Sequence, residues 1–206
     1  MRKYDVNENY FKIWTPNMAY VLGVIASDGC VYNNQIRIGV SLNDIKWLED
    51  IKLEMGVSNK IYKREKDSIA LLCIYSKTMT EDLKALGITS NKSKTLTFPN
   101  IPKEYDSHFI RGYFDGDGWV GFSKDKSNFT SLAVSICGTN EFLKQIKYKF
   151  NEKFNNTVGS LGNGNKCFQL RFNGNKSSKL FLDWIYNESN IELDRKAIIY
   201  KEIKSS

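Results

Sequence analysis

The sequence predicts an α+β protein built from two pseudosymmetric αββαββα repeats whose first helices pack together at the centre. Three echoes carry that expectation. Tyr20-Val21-Leu22-Gly23-Val24-Ile25-Ala26-Ser27-Asp28-Gly29 is answered by Phe109-Ile110-Arg111-Gly112-Tyr113-Phe114-Asp115-Gly116-Asp117-Gly118, and the second acid lies 89 residues after the first. Each stretch is apolar, holds a fixed glycine and closes in Asp-Gly. Trp47-Leu48-Glu49-Asp50-Ile51-Lys52 is answered by Phe142-Leu143-Lys144-Gln145-Ile146-Lys147 at an offset of 95. Asn91-Lys92-Ser93 and Arg195-Lys196-Ala197 then stand in comparable places near the end of each half. Echoes kept in one order mark a duplicated unit. The growth in offset assigns the second copy a longer loop around Lys124 to Asn128.

The elements follow in turn. Pro16 to Ser27 has helical length, with Thr15 as N-cap and proline in the first helical position; Asp28-Gly29 ends it. Gln35 to Ser41 alternates polar and apolar residues, the period of a half-buried strand. Cys30-Val31-Tyr32 is its hairpin partner across the turn Asn33-Asn34. Asn43 opens a helix to about Met55 that puts Ile45, Leu48, Ile51 and Met55 on one face. Lys60 to Glu65 and Ser68 to Tyr75 form a second hairpin, and Lys77 to Leu86 a further helix. The second half repeats the order: a helix to Asp117, strands at 119–123 and 129–137, a helix at 140–153, strands at 157–161 and 166–173, and a helix at 176–187. Thr95 to Tyr105 carries Pro99 and Pro102 and reads as extended linker. The chain thus divides into an N-terminal repeat (1–94), a linker (95–106) and a C-terminal repeat (107–206).

Composition narrows the function. The 206 residues hold 30 Lys plus Arg against 23 Asp plus Glu, a net charge of +7, with a single histidine. A hydrophobic fraction of 41% is enough for a sizeable core and excludes wholesale disorder. No run approaches the roughly 18 apolar residues of a membrane helix, and the N-terminus lacks an apolar signal core. Cys30, Cys73, Cys137 and Cys167 are widely spaced with no CxxC pair, the pattern of reduced thiols. One histidine and no paired cysteines speak against a zinc hydrolase or a Ser-His-Asp enzyme. These features point to an intracellular protein, of a bacterial or phage cytoplasm or of an organelle. Basicity admits nucleic acid as a partner but does not select it, because lysine and asparagine codons are A- and T-rich.

Placement selects it. A lone Asp-Gly at a helix end is an ordinary helix stop. Two copies are different, because the pseudo-two-fold axis brings the C-terminal acids of both helices face to face. Like charges in contact are costly unless a cation sits between them. Paired carboxylates holding hard divalent ions are a known arrangement for phosphodiester hydrolysis. Gly23 and Gly112 remove the side chain where the two helix backbones must approach, and Ala26 and Ser27 face Asp115 and Gly116.

At these residues the sequence resembles the paired signature of the LAGLIDADG homing endonucleases, in VLGVIASDG and, more closely, IRGYFDGDG. Gly87-Ile88 before Asn91-Lys92-Ser93, with the Pro99 to Pro102 linker, is similar to that family too. The resemblance spans about Asn9 to Ile203. It implies a single-chain monomer, a saddle of two antiparallel four-stranded sheets, and Mg²⁺-dependent cleavage of double-stranded DNA, with Mn²⁺ able to substitute. Ala26 departs from the signature where its first acid would stand, a position that serves helix packing. The penultimate acid is present twice. The resemblance makes Asp28 and Asp117 the metal-holding acids, with the backbone carbonyls of Ser27 and Gly116 as further ligands. It also asks for a basic residue near each scissile phosphate; Lys92 and Lys196 fit by position, with Lys94 and Arg195 as alternatives one residue away.

The sheet faces turned away from the helices become the reading surface. They assign DNA contacts to Asn34, Gln35, Arg37, Lys60, Lys63 and Arg64, and to Ser123, Lys124, Lys126, Lys166, Gln169, Arg171 and Asn173. Arginine to guanine and glutamine or asparagine to adenine are the pairings the major groove permits, while lysines at strand ends suit phosphates. His108, ahead of the second motif, reads as a cap or surface residue. The same resemblance includes intron RNA maturases and non-catalytic DNA-binding regulators, which leaves intron RNA as an alternative partner. Neither role needs two acids, so their joint retention favours the nuclease. Intein splicing is disfavoured, since flanking splice-domain length is missing and the chain starts at its own Met1.

Overall fold

A computed structural model of the chain describes residues 4–124, 128, 130–155 and 158–205. Helix α1 (Pro16–Asp28) starts where Thr15 accepts a hydrogen bond from the Met18 amide at 3.0 Å, with Pro16 directly after the cap. Strands β1 (Gly29–Tyr32) and β2 (Gln35–Ser41) follow at once, joined through Asn33 and Asn34, both with positive φ. That two-residue asparagine turn matches the twist of the strands it joins. Helix α2 (Ile45–Glu54), strands β3 (Ile61–Arg64) and β4 (Ile69–Tyr75) and helix α3 (Lys77–Ala85) complete the first repeat. The start of α2 differs from the expected cap at Asn43. A short 3-10 turn over Leu42–Asp44 precedes it, held by the Ser41 side chain accepting from the Asn43 amide.

The second repeat holds α4 (Asp106–Asp117), β5 (Gly118–Lys124), β6 (Thr130–Gly138), α5 (Asn140–Phe154), β7 (Ser160–Asn163), β8 (Phe168–Asn173) and α6 (Asn175–Tyr186). A further helix that the sequence reading did not assign, α7 (Asp194–Ser205), carries Lys196. Strand β7 lies later than the expected 157–161, and β8 starts at Phe168 because Lys166 takes a positive φ in the turn before it. Each repeat forms one four-stranded antiparallel sheet, in the orders β1-β2-β4-β3 and β5-β6-β8-β7. The two outer hairpins of each sheet are thus joined through their second strands.

Register decides which face each residue takes, since directly paired residues share a face. Ile36, Ile38 and Val40 pair with Ile74, Leu72 and Ala70 and are buried under the helices, as are Val134 and Ile136 with Phe172 and Leu170. One continuous core holds both repeats, and α1 and α4 pass through its centre. Their approach is set by Gly23 and Gly112. A Cβ on Gly23 would fall on the Phe109 carbonyl oxygen and 2.8 Å from the Tyr113 amide nitrogen. A Cβ on Gly112 would fall on the Tyr20 carbonyl oxygen and 3.0 Å from the Val24 nitrogen. Here glycine is required by backbone touching backbone.

His108 departs from the surface role expected of it. It is buried inside α4, with Nδ1 3.0 Å from Arg111 NH1. Arg111 itself is fully buried, donates to the Ile185 and Ile191 carbonyls at 3.0 and 3.3 Å, and lies over the Tyr20 ring. Carbonyls some 80 residues away thus make a polar pair compatible with the core. Burial, reinforced by the arginine charge, pushes the imidazole from 6.5 down to about 4. A histidine depressed in the folded state stabilises above its unfolded pKa and loses that contribution as pH falls through 6.5 towards 4. Thermal melts against pH will therefore show an acid-side decline over that window, and His108→Gln will flatten it. Identical declines in both proteins would refute the assignment.

Candidate active site and nucleic-acid face

The C-terminal ends of α1 and α4 meet side by side, and each hands directly into the first strand of its sheet. A Cβ on Gly116 would clash with Ser27 Oγ and with Asp28 Oδ2, so the Asp28 carboxylate lies against the opposite helix end. Burial first, and the Asp117 charge second, raise the Asp28 carboxyl to about 6. Burial also raises Asp117, opposed by a hydrogen bond from Tyr113 and by Lys92 and Lys196. Two carboxylates are thus held half-desolvated at two helix C-termini, whose own partial charge is negative. Such a cluster attracts cations.

Lys92 and Lys196 come to this cluster from below. Lys92 Nζ donates to the carbonyl oxygens of Ser27, at 3.4 Å, and Gly29. Lys196 Nζ donates to Phe114, Asp115 and Gly118 oxygens at 2.6, 2.8 and 2.5 Å. Gly29 and Gly118 stand at corresponding places, so the two ammonium groups cap the two helices in the same way. Both lysines are buried, and burial lowers Lys92 and brings Lys196 down to about 8. Their ammonium groups are therefore spent on the backbone of the helix ends and not held out to solvent. The cations on the open side are their neighbours, with the repeats exchanged: Lys94 lines the groove at Asp117, and Arg195 lines the groove at Asp28. Arg195 also pairs with Asp44 at 3.3 Å.

The face of each sheet opposite the helices is open. In the first sheet it carries Cys30, Tyr32, Gln35, Arg37, Tyr62, Arg64 and Tyr75, all in register with one another or with residues of that face. In the second it carries Trp119, Ser123, Ser135, Gln169, Arg171 and Asn173. Asn34 sits beside this face in the β1–β2 turn, and Lys166 in the β7–β8 turn at the groove of Asp117. Three lysines depart from the expected face. Lys63 pairs with Ala70 and Lys124 with Thr130, on the helix side, and Lys60 precedes β3 and shares a cleft with α2 residues Glu49 and Lys52. Their strands end in solvent, so the wrong side there is open enough to hold a charge. Lys126 lies outside the described residues. In their stead the register places Tyr62, Tyr75 and Trp119 on the open faces, at 54%, 64% and 48% exposure.

No family model matches the chain. Two curated proteins of Methanocaldococcus jannaschii are similar to it. The probable translation initiation factor IF-2 is 26% identical over 204 residues, 90% of this chain and 16% of that protein. The DNA-directed RNA polymerase subunit Rpo1C is 26% identical over 168 residues, 69% of this chain and 19% of that protein. The chain spans under a fifth of the length of these relatives. Among solved structures, the LAGLIDADG meganuclease I-AabMI bound to uncleaved DNA superposes with a TM-score of 0.61 at 15% identity, over 93% of this chain and 92% of that one. The chain has the LAGLIDADG fold. Full-length DUF199/WhiA from Thermatoga maritima shares it, with a TM-score of 0.59 at 14% identity, over 96% of this chain and 64% of that one.

Within the LAGLIDADG helices the two repeats differ at Ala26 and Asp115. Ala26 is buried without a polar partner to seek. Asp115 is fully buried and accepts from Tyr20 Oη at 2.7 Å, Tyr186 Oη at 2.6 Å and the Leu193 amide at 3.0 Å. Trp47 Nε1 donates in turn to Tyr20 Oη at 2.6 Å. This acid ties α1, α4, α6 and the approach to α7 together, and so sets where Lys196 enters. Its partners are far apart in sequence, which hid the role. Among the described residues no helix is long and apolar enough to cross a membrane.

Proposed function

We propose that the chain is a site-specific endonuclease of double-stranded DNA, hydrolysing a phosphodiester in each strand of a long, poorly symmetric target with Mg²⁺ or Mn²⁺, as a monomeric homing endonuclease does. The observation that carries this reading is the convergence of Asp28 and Asp117 at the touching ends of two helices, between two sheets with polar open faces. The donor set fits a hard divalent ion. Two carboxylates oppose each other there, Asp28 half-buried and Asp117 open to solvent, and among the described residues no group of three or more His, Cys, Asp or Glu competes as a softer or fuller cage. Mg²⁺ is commonly held by one or two carboxylates, with water and substrate phosphate as its other ligands. Asp28 and Asp117 would hold it, with the Ser27 and Gly116 carbonyls, each one residue before an acid, as candidate further ligands. A bound divalent ion supplies Lewis-acid stabilisation and a more acidic water.

The chain's own groups do the rest. Ionised Asp28 orients attacking water by accepting its hydrogen bond at Oδ. Lys92 and Lys196 fix the helix ends and offset the paired negative charge from beneath. Lys94 and Arg195, on the open side, are placed to oppose charge growing on a phosphate. The similarity to I-AabMI, crystallised with DNA, supports DNA as the partner. A second reading, DNA binding without cleavage, uses the same open sheet faces and needs neither acid.

The test uses duplex DNA recovered from a randomised pool by its affinity for the full chain. Cleavage of both strands in Mg²⁺ and none in EDTA is the expected result. Tight, sequence-selective binding with no cut in Mg²⁺ or Mn²⁺ would replace the nuclease with the binding protein. Affinity will also fall steeply as salt rises, because cationic side chains displace counterions from phosphates; a salt-independent affinity would contradict the DNA face described above.

A further inference from the structure

The six arginines of the chain sort cleanly by partner. Arg2 lies outside the described residues. Arg111 is buried on backbone carbonyls, Arg64 is paired with Asp67 at 3.0 Å, and Arg195 with Asp44 at 3.3 Å. That leaves Arg37 and Arg171, one on the open face of each sheet, both exposed, and neither paired with a carboxylate among the described residues. Each is instead held by the glutamine two positions earlier on its own strand. Arg37 NH2 donates to Gln35 Oε1 at 2.9 Å. Arg171 donates to Gln169 Oε1 through Nε at 3.0 Å and through NH2.

The same Gln-x-Arg device occurs on strands that do not correspond between the repeats, β2 in one and β8 in the other, so duplication does not explain it. A glutamine whose carbonyl is turned along the sheet to accept from arginine is poorly aimed to present the paired donor and acceptor that adenine requires. Gln169 is committed at both ends, since its Nε2 donates to Cys137 Sγ at 3.5 Å. Arginine held by one edge keeps further N–H groups for the N7 and O6 acceptors of guanine, and holding it removes side-chain freedom that binding would otherwise have to remove.

We infer that Arg37 and Arg171 each read one guanine, one in each half of the target, and that Gln35 and Gln169 are positioning residues for them and read no base of their own. This inference rests on the DNA-binding reading above. It also fixes an asymmetry. Arg37 pairs directly with Cys30, two residues past Asp28, whereas Arg171 pairs with Ser135, which in turn pairs with Trp119, two residues past Asp117. Arg37 is therefore one strand from its helix end and Arg171 two, at a spacing of about 4.8 Å per strand. The guanine read by Arg37 lies nearer the centre of the site.

Selection from a randomised duplex pool, carried out with the wild-type chain, Arg37→Ala, Arg171→Ala, Gln35→Met and Gln169→Met, tests this. The wild type will enrich a guanine in each half, the two at unequal distances from the centre. Arg37→Ala will lose roughly ten- to hundredfold discrimination at the inner guanine only, and Arg171→Ala at the outer one only. Gln35→Met removes the acceptor at similar size and will weaken the same guanine as Arg37→Ala, changing no other position; Gln169→Met will do likewise for Arg171. Loss of an adenine preference at a separate position in either methionine variant would overturn the positioning role. A selected motif unchanged by the arginine variants would overturn the inference while leaving DNA recognition intact. Failure of the wild-type chain to enrich any sequence would overturn both. All four side chains stand on open sheet faces, and circular dichroism of each variant confirms that folding is retained.

Discussion

Alanine at Gly23 or at Gly112 will cost the chain about 3 kcal/mol, the upper part of the range for overpacking a rigid site. The added methyl group has nowhere to go. At Gly23 its neighbours are the Phe109 oxygen, the Tyr113 nitrogen at 2.8 Å and the Gly112 carbonyl carbon at 3.1 Å. At Gly112 they are the Tyr20 oxygen, the Tyr20 carbonyl carbon at 2.9 Å and the Val24 nitrogen at 3.0 Å. All are backbone atoms of the opposite helix, so no side chain can turn aside, and the two helices must separate. For a chain of this length a loss of that size lowers Tm by roughly 6–12 °C. Gly162→Ala is the control, because a Cβ there meets nothing within 4 Å. Denaturant melts of the three variants measure the difference. Losses at Gly23 and Gly112 no greater than at Gly162 would show that the helices do not touch as described. The same separation pulls Asp28 from Gly116, so DNA cleavage should fall in both glycine variants even where enough folded protein remains.

Much of this architecture is legible because its determinants are local or repeated. Thr15-Pro16 starts α1, Asp-Gly ends both central helices, Asn33-Asn34 makes the hairpin turn, and the repeat aligns Lys92 with Lys196 although neither is in a strong motif. Faces were harder to read. In β3 the run Ile61-Tyr62-Lys63-Arg64 has two apolar and two basic residues in succession, so the alternation gives no parity, and a slip of one residue exchanges Lys63 for Tyr62. Lys124 is misplaced because adjacent strand residues cannot share a face, and Ser123 takes the open one. The burial of His108, Arg111 and Asp115 was illegible for another reason. Arg111 and Asp115 find their partners at Ile185, Ile191, Tyr20, Tyr186 and Leu193, all distant in sequence, and His108 is buried along with Arg111, so a polar residue reads as exposed until its partners are known. Lys92 and Lys196 are the intermediate case. Their position was legible, but their direction was not, because only the folded helix ends reveal the carbonyls that draw the ammonium groups inward.

Asp28→Asn and Asp117→Asn will each reduce DNA cleavage by at least two to three orders of magnitude, on the scale seen when charge-stabilising groups are removed from an active site. Either amide keeps the size and turn chemistry of the acid but removes one of the two charges that hold the cation. Binding will survive or tighten, since a negative group facing phosphate is gone. Stability at neutral pH will not fall either, because burial raises both acids and an ionised pair repels itself without metal. For Asp28, whose carboxyl is raised from 3.8 to about 6, the unfavourable charge is fully present above pH 6 and fades as pH falls towards 3.8. The stabilising effect of Asp28→Asn should shrink over that window.

The most direct measurement follows both strands at once, on a bound duplex carrying a different label on each, in Mg²⁺, with the wild-type chain and the two single asparagine variants at saturating protein. If Asp28 and Asp117 form one metal-holding centre, the wild type cuts both strands, and each variant binds the duplex normally yet slows both strands together. Wild-type rates on either strand in a variant that has lost one acid would contradict it.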